Sequence, residues 1–343
     1  MQDFVRNLMY FLIIQGCVWA GVCVLYRQDT GRAAQLVRRY LAATIDKHNL
    51  LVQQPSPRIV FVGGSNLAFG LDSAEIQRRL GYHPINMGLD VDLGLDFMLQ
   101  EVESFLKPGD VVVISPEYKQ FASLFSGDAE TLFEEIETQP CSVQFLTPRN
   151  LSVLLDKGLI VIGNITRHSI NFGISLLKGE RQGEIHPNRD KDHNNPYRRS
   201  AFNQFGDVTA HHDLARRDFQ ESQDEPPTPD SIYRVINRLN TFNSRCQRKG
   251  IPVFYSYPPL FQGEMQIHAQ IIHEIASNLS RQLTFPLLDT PEEMSFPLDY
   301  IFDGRYHLNI VGKRIRTGHL IEKLLDRLPK ANIALGTASK AYQ

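Results

Sequence analysis

The sequence has almost no net charge, and this shortage limits the partners that the chain can bind. Its 36 basic and 38 acidic residues give a formal net charge of -2 over 343 residues. A chain without a positive excess or a basic stripe lacks the electrostatic attraction that holds nucleic acid. We therefore expect no nucleic-acid partner.

Cofactor and metal motifs are missing as well. No Gly-Lys-[Ser/Thr] follows Gly63-Gly64, so the pair is not a P-loop, and no G-x-G-x-x-G fingerprint marks a dinucleotide site. A histidine-rich group lies in a polar stretch, comprising His186, His193, His211, His212 and Asp213. These residues lack the helical i, i+4 spacing and the companion cysteines of zinc sites. We expect them to be solvated surface, with no metal and no cofactor.

Cysteine is scarce, with four residues in the whole chain. Cys17 and Cys23 fall in an N-terminal apolar run, which leaves Cys141 and Cys246 in the remainder. Cys246 continues the apolar face of a predicted helix at 231–249, which predicts a buried thiol and not a disulfide. The count leaves the redox compartment open.

The longest apolar run lies at 8–26 (LMYFLIIQGCVWAGVCVLY) and contains no charged side chain. As a helix it would extend roughly 28 Å, about the thickness of a bilayer core. We predict a membrane anchor at 1–27. A cleaved signal peptide is the alternative, but the run is long for one and no small-x-small cleavage site follows it. Residues 28–57 are predicted to be a linking helix that ends at prolines.

Strands and helices alternate along the body of the chain. Short apolar runs predict strands at 59–62, 84–87, 111–114, 251–257 and 285–288. Helical periodicity predicts helices between and after them, at 73–80, 93–106, 231–249, 265–279 and 310–328. This alternation is typical of an α/β fold with a mostly parallel sheet, here five-stranded and contained in one domain at 58–330.

Two stretches break the alternation. Residues 121–177 contain several helical pieces, and 159–162 fits either a strand or part of a buried helix. Residues 178–230 are polar and too long for an ordinary connection, so we predict an insertion that is either a mobile lid or a substrate-facing segment. Residues 331–343 are predicted to be a flexible tail.

Ser65 follows the first predicted strand directly, within the segment RIVFVGGSNLAFGLD. Open α/β sheets bind ligands outside the carboxyl ends of their strands, and Gly63-Gly64 removes side chains that would block a substrate. A second segment, FDGRYHLN, supplies Asp303 and His307. A serine after glycine is common in turns, but serine, imidazole and carboxylate together predict a nucleophile, its base and the group that orients the base.

These two motifs resemble the SGNH (GDSL-like) hydrolase family over about residues 58–328. The resemblance is closest to the membrane-anchored branch, which includes the D-alanyl transfer protein of teichoic-acid synthesis and the O-acetyltransferases of exported polysaccharides. It implies a flavodoxin-like three-layer fold and an acyl-serine mechanism with Ser65, Asp303 and His307 as catalytic residues.

Three features depart from the family pattern. One extra residue separates Asp303 from His307 relative to Asp-x-x-His, and Ser-Pro-Glu-Tyr at 115–118 replaces the family's Gly-x-Asn-Asp. The second change removes an asparagine that helps to hold the oxyanion. The glycine block NMGLDVDLG offers two glycines. We expect the oxyanion donors to come from this set: the Ser65 N–H, the N–H of Gly88 or Gly94, and the side chain of Asn66 or Asn86.

Three further residues are candidates for binding substrate. Glu117 is predicted either to accept a bond from a substrate hydroxyl or to be the buried partner of an arginine or tyrosine. Asn203 and Asp207 lie in YRRSAFNQFGD, which looks like a loop of the membrane-anchored branch. They are predicted to face the site, with a plain solvated loop as the alternative.

The resemblance implies an esterase or O-acyltransferase whose substrate is an acylated glycan or cell-envelope polymer, with envelope-assembly proteins as candidate partners. The alternative is an inactive scaffold or binding module of the same fold. Arg27, Arg32, Arg38 and Arg39 follow the anchor, and the positive-inside rule would place them in the cytoplasm. The family implies an extracytoplasmic catalytic domain on a single-pass anchor, and we adopt that expectation.

Overall fold

Four parallel strands form the central sheet in the computed structural model, which describes residues 2–29, 36, 38–178, 195–219 and 225–328. The strands are β1 (Arg58–Gly63), β2 (His83–Asn86), β3 (Val111–Ser115) and β4 (Val253–Tyr255). They lie in the order β2-β1-β3-β4, and every pairing is parallel. The predicted α/β class with a mostly parallel sheet is confirmed.

The predicted fifth strand is reduced to a single contact. Residues 285–288 meet the sheet through an isolated parallel bridge from Leu287 to Tyr255. Two short strands, β5 (Leu260–Phe261) and β6 (Ser295–Phe296), pair separately in a two-stranded sheet.

Helices cover the sheet and extend beyond it. They are α1 (Gln2–Gln28), α2 (Ala43–Gln53), α3 (Ser65–Gly70), α4 (Ser73–Leu80), α5 (Leu95–Phe105), α6 (Ala129–Thr138), α7 (Pro148–Asp156), α8 (Gly158–Leu177), α9 (Pro229–Gln247), α10 (Gln262–Ile267), α11 (Ala269–Gln282) and α12 (Ile310–Leu325). Residues 159–162, which fitted a strand or a helix, belong to α8.

Local sequence explains why the sheet forms where it does. Every residue of β1 and β3 is buried, as an apolar run between two layers of helices requires. At the start of β1 the buried guanidinium of Arg58 donates to both carboxylate oxygens of Asp110, which ties β1 to the turn before β3. Cys246 is 1% exposed in the core, which confirms the predicted buried thiol.

The N-terminal helix contacts the rest of the protein through α8, near its C-terminal end. Within the described residues, one helix is long and apolar enough to span a membrane, at Met9–Gln28 with a mean hydropathy of 1.8. None of that stretch is buried against the protein. The predicted linking helix is shorter than expected, because α2 begins only at Ala43. Residues 30–35 and 37, parts of the insertion including His186 and His193, and the tail after 328 lie outside the described residues.

Candidate active site

Two glycines allow the turn that carries Ser65 to lie directly against the end of β3. A Cβ atom on Gly63 would lie 2.2 Å from the Ser115 carbonyl oxygen, and one on Gly64 would lie 2.5 Å from Glu117 Oε1. No larger residue fits at either position without moving β3 or Glu117. Residues 63–66, called the serine turn below, therefore depend on glycine for this close approach.

The structure brings together the serine, the histidine and the aspartate that the sequence singled out. Ser65 Oγ lies 2.8 Å from His307 Nε2, although the two residues are 242 positions apart in the chain. On the other side of the ring, His307 Nδ1 lies 2.8 Å from Asp303 Oδ1. An ionised Asp303 accepts the Nδ1 hydrogen, which leaves Nε2 as the acceptor for the Ser65 hydroxyl.

The extra residue between Asp303 and His307 does not prevent this contact. A tight turn, in which the His307 N–H donates to the Gly304 carbonyl at 3.0 Å, folds the segment back on itself. The ring of His307 also stacks on Phe69, with centroids 4.1 Å apart and planes 12° apart. Its orientation is thus fixed by an aromatic face as well as by Asp303.

Tyr197 completes the set of groups around this pair. Its hydroxyl donates to Asp303 Oδ2 at 2.7 Å and lies 3.2 Å from His307 Nδ1. Burial and the neighbouring Asp303 raise the pKa of Tyr197, so its hydroxyl stays protonated and remains a donor. Tyr197 begins the YRRSAFNQFGD loop, so the insertion contributes a side chain to the site.

A buried arginine supports the serine turn from below. Arg316 on α12 donates to the Asn66 carbonyl at 2.6 Å and to Ser115 Oγ at 3.0 Å. Burial lowers the pKa of Arg316 to about 10, which still leaves it cationic at neutral pH. Gly70 makes room for it, because a Cβ there would lie 2.3 Å from Arg316 Nη1.

Glu117 lies at the serine itself. Its Oε1 accepts the Asn66 N–H at 3.0 Å and lies 3.2 Å from Ser65 Oγ, which can donate to it. The residue is 3% exposed, and burial raises the pKa of its carboxyl against the opposing effects of the Asn66 N–H, His307 and Arg305. Glu117 is thus buried, as one of its two predicted roles requires, and it contacts the serine turn while Arg305 acts on its carboxyl.

The two candidate glycines of the oxyanion block occupy different places. Gly88 lies against the serine turn, since a Cβ there would lie 2.8 Å from the Gly64 carbonyl oxygen. Gly94 has a φ of +82° and abuts Gly127, and its N–H donates to the Val91 carbonyl at 3.1 Å. Gly94 is therefore the N-cap residue of α5, and its N–H is already bonded within the protein.

The side-chain amides of Asn66 and Asn86, which were predicted as oxyanion donors, already make hydrogen bonds within the protein. Asn66 Nδ2 donates to Ser115 O at 3.2 Å, and Asn66 is fully buried, so its side chain does not point toward Ser65 Oγ. Asn86 Oδ1 accepts the Gly88 N–H at 2.9 Å, while Asn86 Nδ2 donates to Leu67 O and Asp207 Oδ1. Asn86 thus orients the backbone at Gly88. The Gly88 N–H can donate to a substrate only if its hydrogen bond to Asn86 Oδ1 breaks.

Asp207 and Asn203 lie beneath the site. Asp207 is 1% exposed, and its oxygens accept from the Ser73 hydroxyl and N–H, from Asn86 Nδ2 and from Asn203 Nδ2. Asn203 Oδ1 in turn accepts the Asp207 N–H. The contacts of Asp207 correct the prediction that it faces substrate, because they hold the insertion to β2 and α4 instead. Asn203 is half-buried and bonds within its own loop, so its predicted role stays a prediction.

The histidine pair of the insertion is also less exposed than expected. His211 is 1% exposed and donates from Nε2 to the Leu308 carbonyl at 3.0 Å, beside the Phe69 and Phe302 rings. Burial lowers the pKa of His211 to about 3. The prediction of solvated surface is therefore wrong for His211. Among the described residues, no group of three or more histidine, cysteine, aspartate or glutamate side chains could hold a metal ion.

A small pocket of about 40 Å³ is lined by Tyr118, which follows Glu117, and by Arg305, which lies between Asp303 and His307. Buried Glu264 also lines this pocket and accepts from Arg305 Nη1 at 3.1 Å. Most of the remaining lining is apolar, including Leu260, Ile271 and Ile272. The pocket shares sequence neighbours with the site, but Ser65 and His307 are not among the residues that line it.

Two supporting residues, Tyr197 and Arg316, were not predicted. Arg316 had a signal in the sequence, because Lys313, Arg316 and Thr317 share a helix face with apolar Leu320 and Leu324. Cations on the buried face of an amphipathic helix indicate partners inside the protein. Tyr197 had no such signal beyond its membership of the loop.

No protein-family model matches the chain, and none of the curated proteins matches it either. The function proposed below therefore rests on the geometry of the site.

Proposed function

We propose that the chain is a membrane-anchored serine esterase or O-acyltransferase with an SGNH-like, flavodoxin-like fold. The observation that carries the proposal is the pair of 2.8 Å contacts, from Ser65 Oγ to His307 Nε2 and from His307 Nδ1 to Asp303. A serine hydroxyl, its base and a group that orients the base are the parts required for acyl transfer through a covalent intermediate.

Each proton transfer has a residue to perform it. Ser65 Oγ attacks the ester carbonyl carbon and gives its proton to His307 Nε2. The imidazolium then protonates the leaving alcohol, and an acyl group stays on Ser65. Water or a second hydroxyl, deprotonated by the same imidazole, attacks the acyl-serine and regenerates the free serine. Asp303, held by Tyr197, stabilises the imidazolium throughout.

Glu117 takes the position of the missing asparagine in this mechanism. An ionised carboxylate 3.2 Å from Ser65 Oγ would oppose the negative charge that develops on the substrate oxygen. A neutral carboxyl has an O–H that can donate to that oxygen, as side-chain donors of oxyanion holes do. Burial favours the neutral form of Glu117. We therefore assign the donors as the Ser65 N–H and the protonated Glu117 carboxyl.

The substrate is proposed to be an acylated glycan or a cell-envelope polymer. The small pocket lined by Tyr118 and Arg305 combines an apolar wall with the Arg305–Glu264 pair, a mixture that suits an acyl group next to a hydroxyl-rich acceptor. Tyr197 brings the insertion over His307, and this cover favours transfer to a bound hydroxyl over hydrolysis because it limits the access of water.

A second candidate function is a binding module without activity. It is favoured by the occupied donors of the site, since the Asn66 N–H is bonded to Glu117 and the Gly88 N–H to Asn86. If neither bond opens and Glu117 stays ionised, the site lacks an oxyanion hole.

Labelling with a fluorophosphonate probe separates the two functions. The proposed enzyme is labelled in its native state, and Ser65→Ala abolishes the label. Ser104→Ala, an exposed serine on α5, is the matched control and keeps it. A native chain that stays unlabelled, or a label that survives Ser65→Ala, supports the inactive module.

The body of the chain is proposed to lie outside the cytoplasm, tethered by α1. The family resemblance supports this side of the membrane, while arginines after α1 favour the other. A reporter at the C-terminus that is active only after export decides between them. We expect the export-dependent reporter to be active. Activity of a reporter that works only in the cytoplasm, fused at the same position, contradicts the proposed topology.

A further inference from the structure

Helix α8 presents an apolar surface that nothing in the described part of the chain covers. Its exposed apolar residues recur at helical spacing and form what we call the apolar stripe: Leu159, Ile162, Ile170, Ile174 and Leu177. Their exposed fractions run from 40% for Ile162 to 90% for Leu177. Large contiguous apolar surface of this kind marks an interaction site and is costly in water.

The other two sides of α8 have different chemistry. Val161, Ser169 and Phe172 are buried and form the packed side. Asn164, Arg167 and Asn171 are exposed and follow one another at helical spacing as a polar stripe. A helix with exposed apolar residues towards both ends beside exposed polar residues in its middle suits a boundary between water and hydrocarbon. The exposed polar residues at 164–171 argue against a helix that crosses the hydrocarbon, because they would lie at its centre.

Contacts with α1 place α8 at the level of a membrane surface. Ser169 Oγ donates to the Val22 carbonyl at 3.1 Å, and Gly173 lies against Leu25, both in the last turns of α1. His168 Nε2 lies 2.8 Å from Asp29, just past the end of that helix. The middle of α8 therefore crosses α1 where its apolar run gives way to charged residues.

Charged groups mark the same boundary. His168, which lies 2.8 Å from Asp29, lines a space between α1, α6 and α8 together with Glu130 and Glu134 of α6. Charged side chains collect outside the hydrocarbon core, because transferring them into it is costly. Exposed Lys157 and Lys178 flank α8 at its two ends, which suits the phosphates of lipid headgroups.

We propose that α8 is an interfacial membrane helix whose apolar stripe enters the leaflet at the end of α1. The apolar stripe thus contacts the lipid of a bilayer and not another protein. The protein would then be held by two helices, one crossing the membrane and one lying in its surface, which fixes the body at a set height and rotation. This inference stands independently of the chemistry at Ser65.

Depth-dependent quenching tests the proposal on the full chain. Single cysteines are introduced by Ile170→Cys or Ile174→Cys in the apolar stripe and by Arg167→Cys or Asn171→Cys in the polar stripe. The background replaces Cys17, Cys23, Cys141 and Cys246 by alanine. Each chain carries an environment-sensitive fluorophore and is placed, one copy per disc, in nanodiscs of phosphatidylcholine and phosphatidylglycerol with doxyl-labelled acyl chains.

Several-fold stronger quenching is expected at positions 170 and 174 than at 167 and 171, approaching that of Ile13→Cys inside α1. Positions 170 and 171 are adjacent, so a folding defect would affect both and cannot mimic the difference. Equal quenching in the two stripes overturns the proposal. Protection of position 170 that appears only with two copies per disc also overturns it, because the stripe would then bind a second copy of the chain.

Discussion

The protonation state of Glu117 determines whether the proposed site can stabilise an oxyanion. Several ionisable or charged groups face its carboxyl: His307, Arg305, Arg316 and Asp90. The cations favour the ionised form, but burial is the largest effect and raises the pKa of Glu117. At low pH the neutral carboxyl can donate, and as pH rises through its pKa that donor is lost.

Glu117→Gln is predicted to separate this role from that of a base. The amide donates at every pH, so the ratio of variant to native kcat/KM for an activated ester should rise from about pH 5 to about pH 9. Glu117→Ala removes the donor and should lower kcat/KM on the order of 10²- to 10³-fold.

The opposite result would come from a carboxylate that acts while ionised. In that case Glu117→Gln lowers kcat/KM most at high pH, where the native residue is charged, and the ratio falls with pH. A fluorophosphonate titration of active sites at each pH excludes loss of folded enzyme as the cause.

At the scale of elements, the loop at 197–217 holds the site through backbone contacts. The Val208 N–H donates to the Ala68 carbonyl of α3 at 2.8 Å, and the Arg217 N–H donates to the Phe302 carbonyl at 2.8 Å. Buried Lys47 of α2 donates to the carbonyls of Asn86 and Gly206. Burial lowers the pKa of Lys47 to about 7. The loop thus packs against α3, against the end of β2 at Asn86, and against Phe302, which precedes Asp303.

Gly206→Ala is predicted to weaken both stability and activity. Gly206 has a φ of +91°, and a Cβ there would lie 2.4 Å from the Asn86 carbonyl oxygen. We expect a loss of about 1–3 kcal/mol in the free energy of unfolding. We also expect a lower kcat, because Gly206 belongs to the loop that carries Tyr197 onto Asp303. Thermal unfolding and ester hydrolysis measure the two effects.

Gly109→Ala is the matched control for backbone strain. Its φ is also +91°, but the nearest atom to a Cβ there is 3.9 Å away, on Ser56. This variant should lose stability through strain alone and keep its kcat. If the two variants behave alike, contact between Gly206 and Asn86 has no role in the site.

Elements differed in how well the sequence predicted them, for physical reasons. The runs at 59–62 and 111–114 matched β1 and β3 to within one residue at each end, because a short apolar run between turns has few other conformations. The strand predicted at 285–288 has one neighbour, Tyr255, and makes one bridge to it. Its apolar residues also serve the core without extended pairing.

The residues of the site were predicted from the sequence only in part. Ser65, Asp303 and His307 were found because local motifs carry them. Tyr197 and Arg316 were missed because their partners lie 106 and 250 positions away. Asp207 was predicted to face substrate, but its carboxylate accepts from four donors inside the protein. A carboxylate in a polar loop gives no sign of such partners in the sequence.

In the molecule as a whole, the helix that is long and apolar enough to span a membrane and the serine turn lie in separate parts. Helix α1 contacts α8, while the serine turn lies at the carboxyl ends of β1 and β3. Open α/β sheets place ligands at that edge. The proposed anchor would therefore leave the proposed site free to act on a polymer near the membrane.

Acylation of Ser65 can be measured by mass spectrometry after a rapid acid quench. The protein is mixed with p-nitrophenyl acetate and quenched, its intact mass is measured, and it is then digested. We expect an acetyl group on the peptide that contains Ser65, formed faster than background, absent in Ser65→Ala and formed much more slowly in His307→Ala. An adduct that forms at the same rate in all three chains, or that lies on other peptides, would show that Ser65 is not the nucleophile.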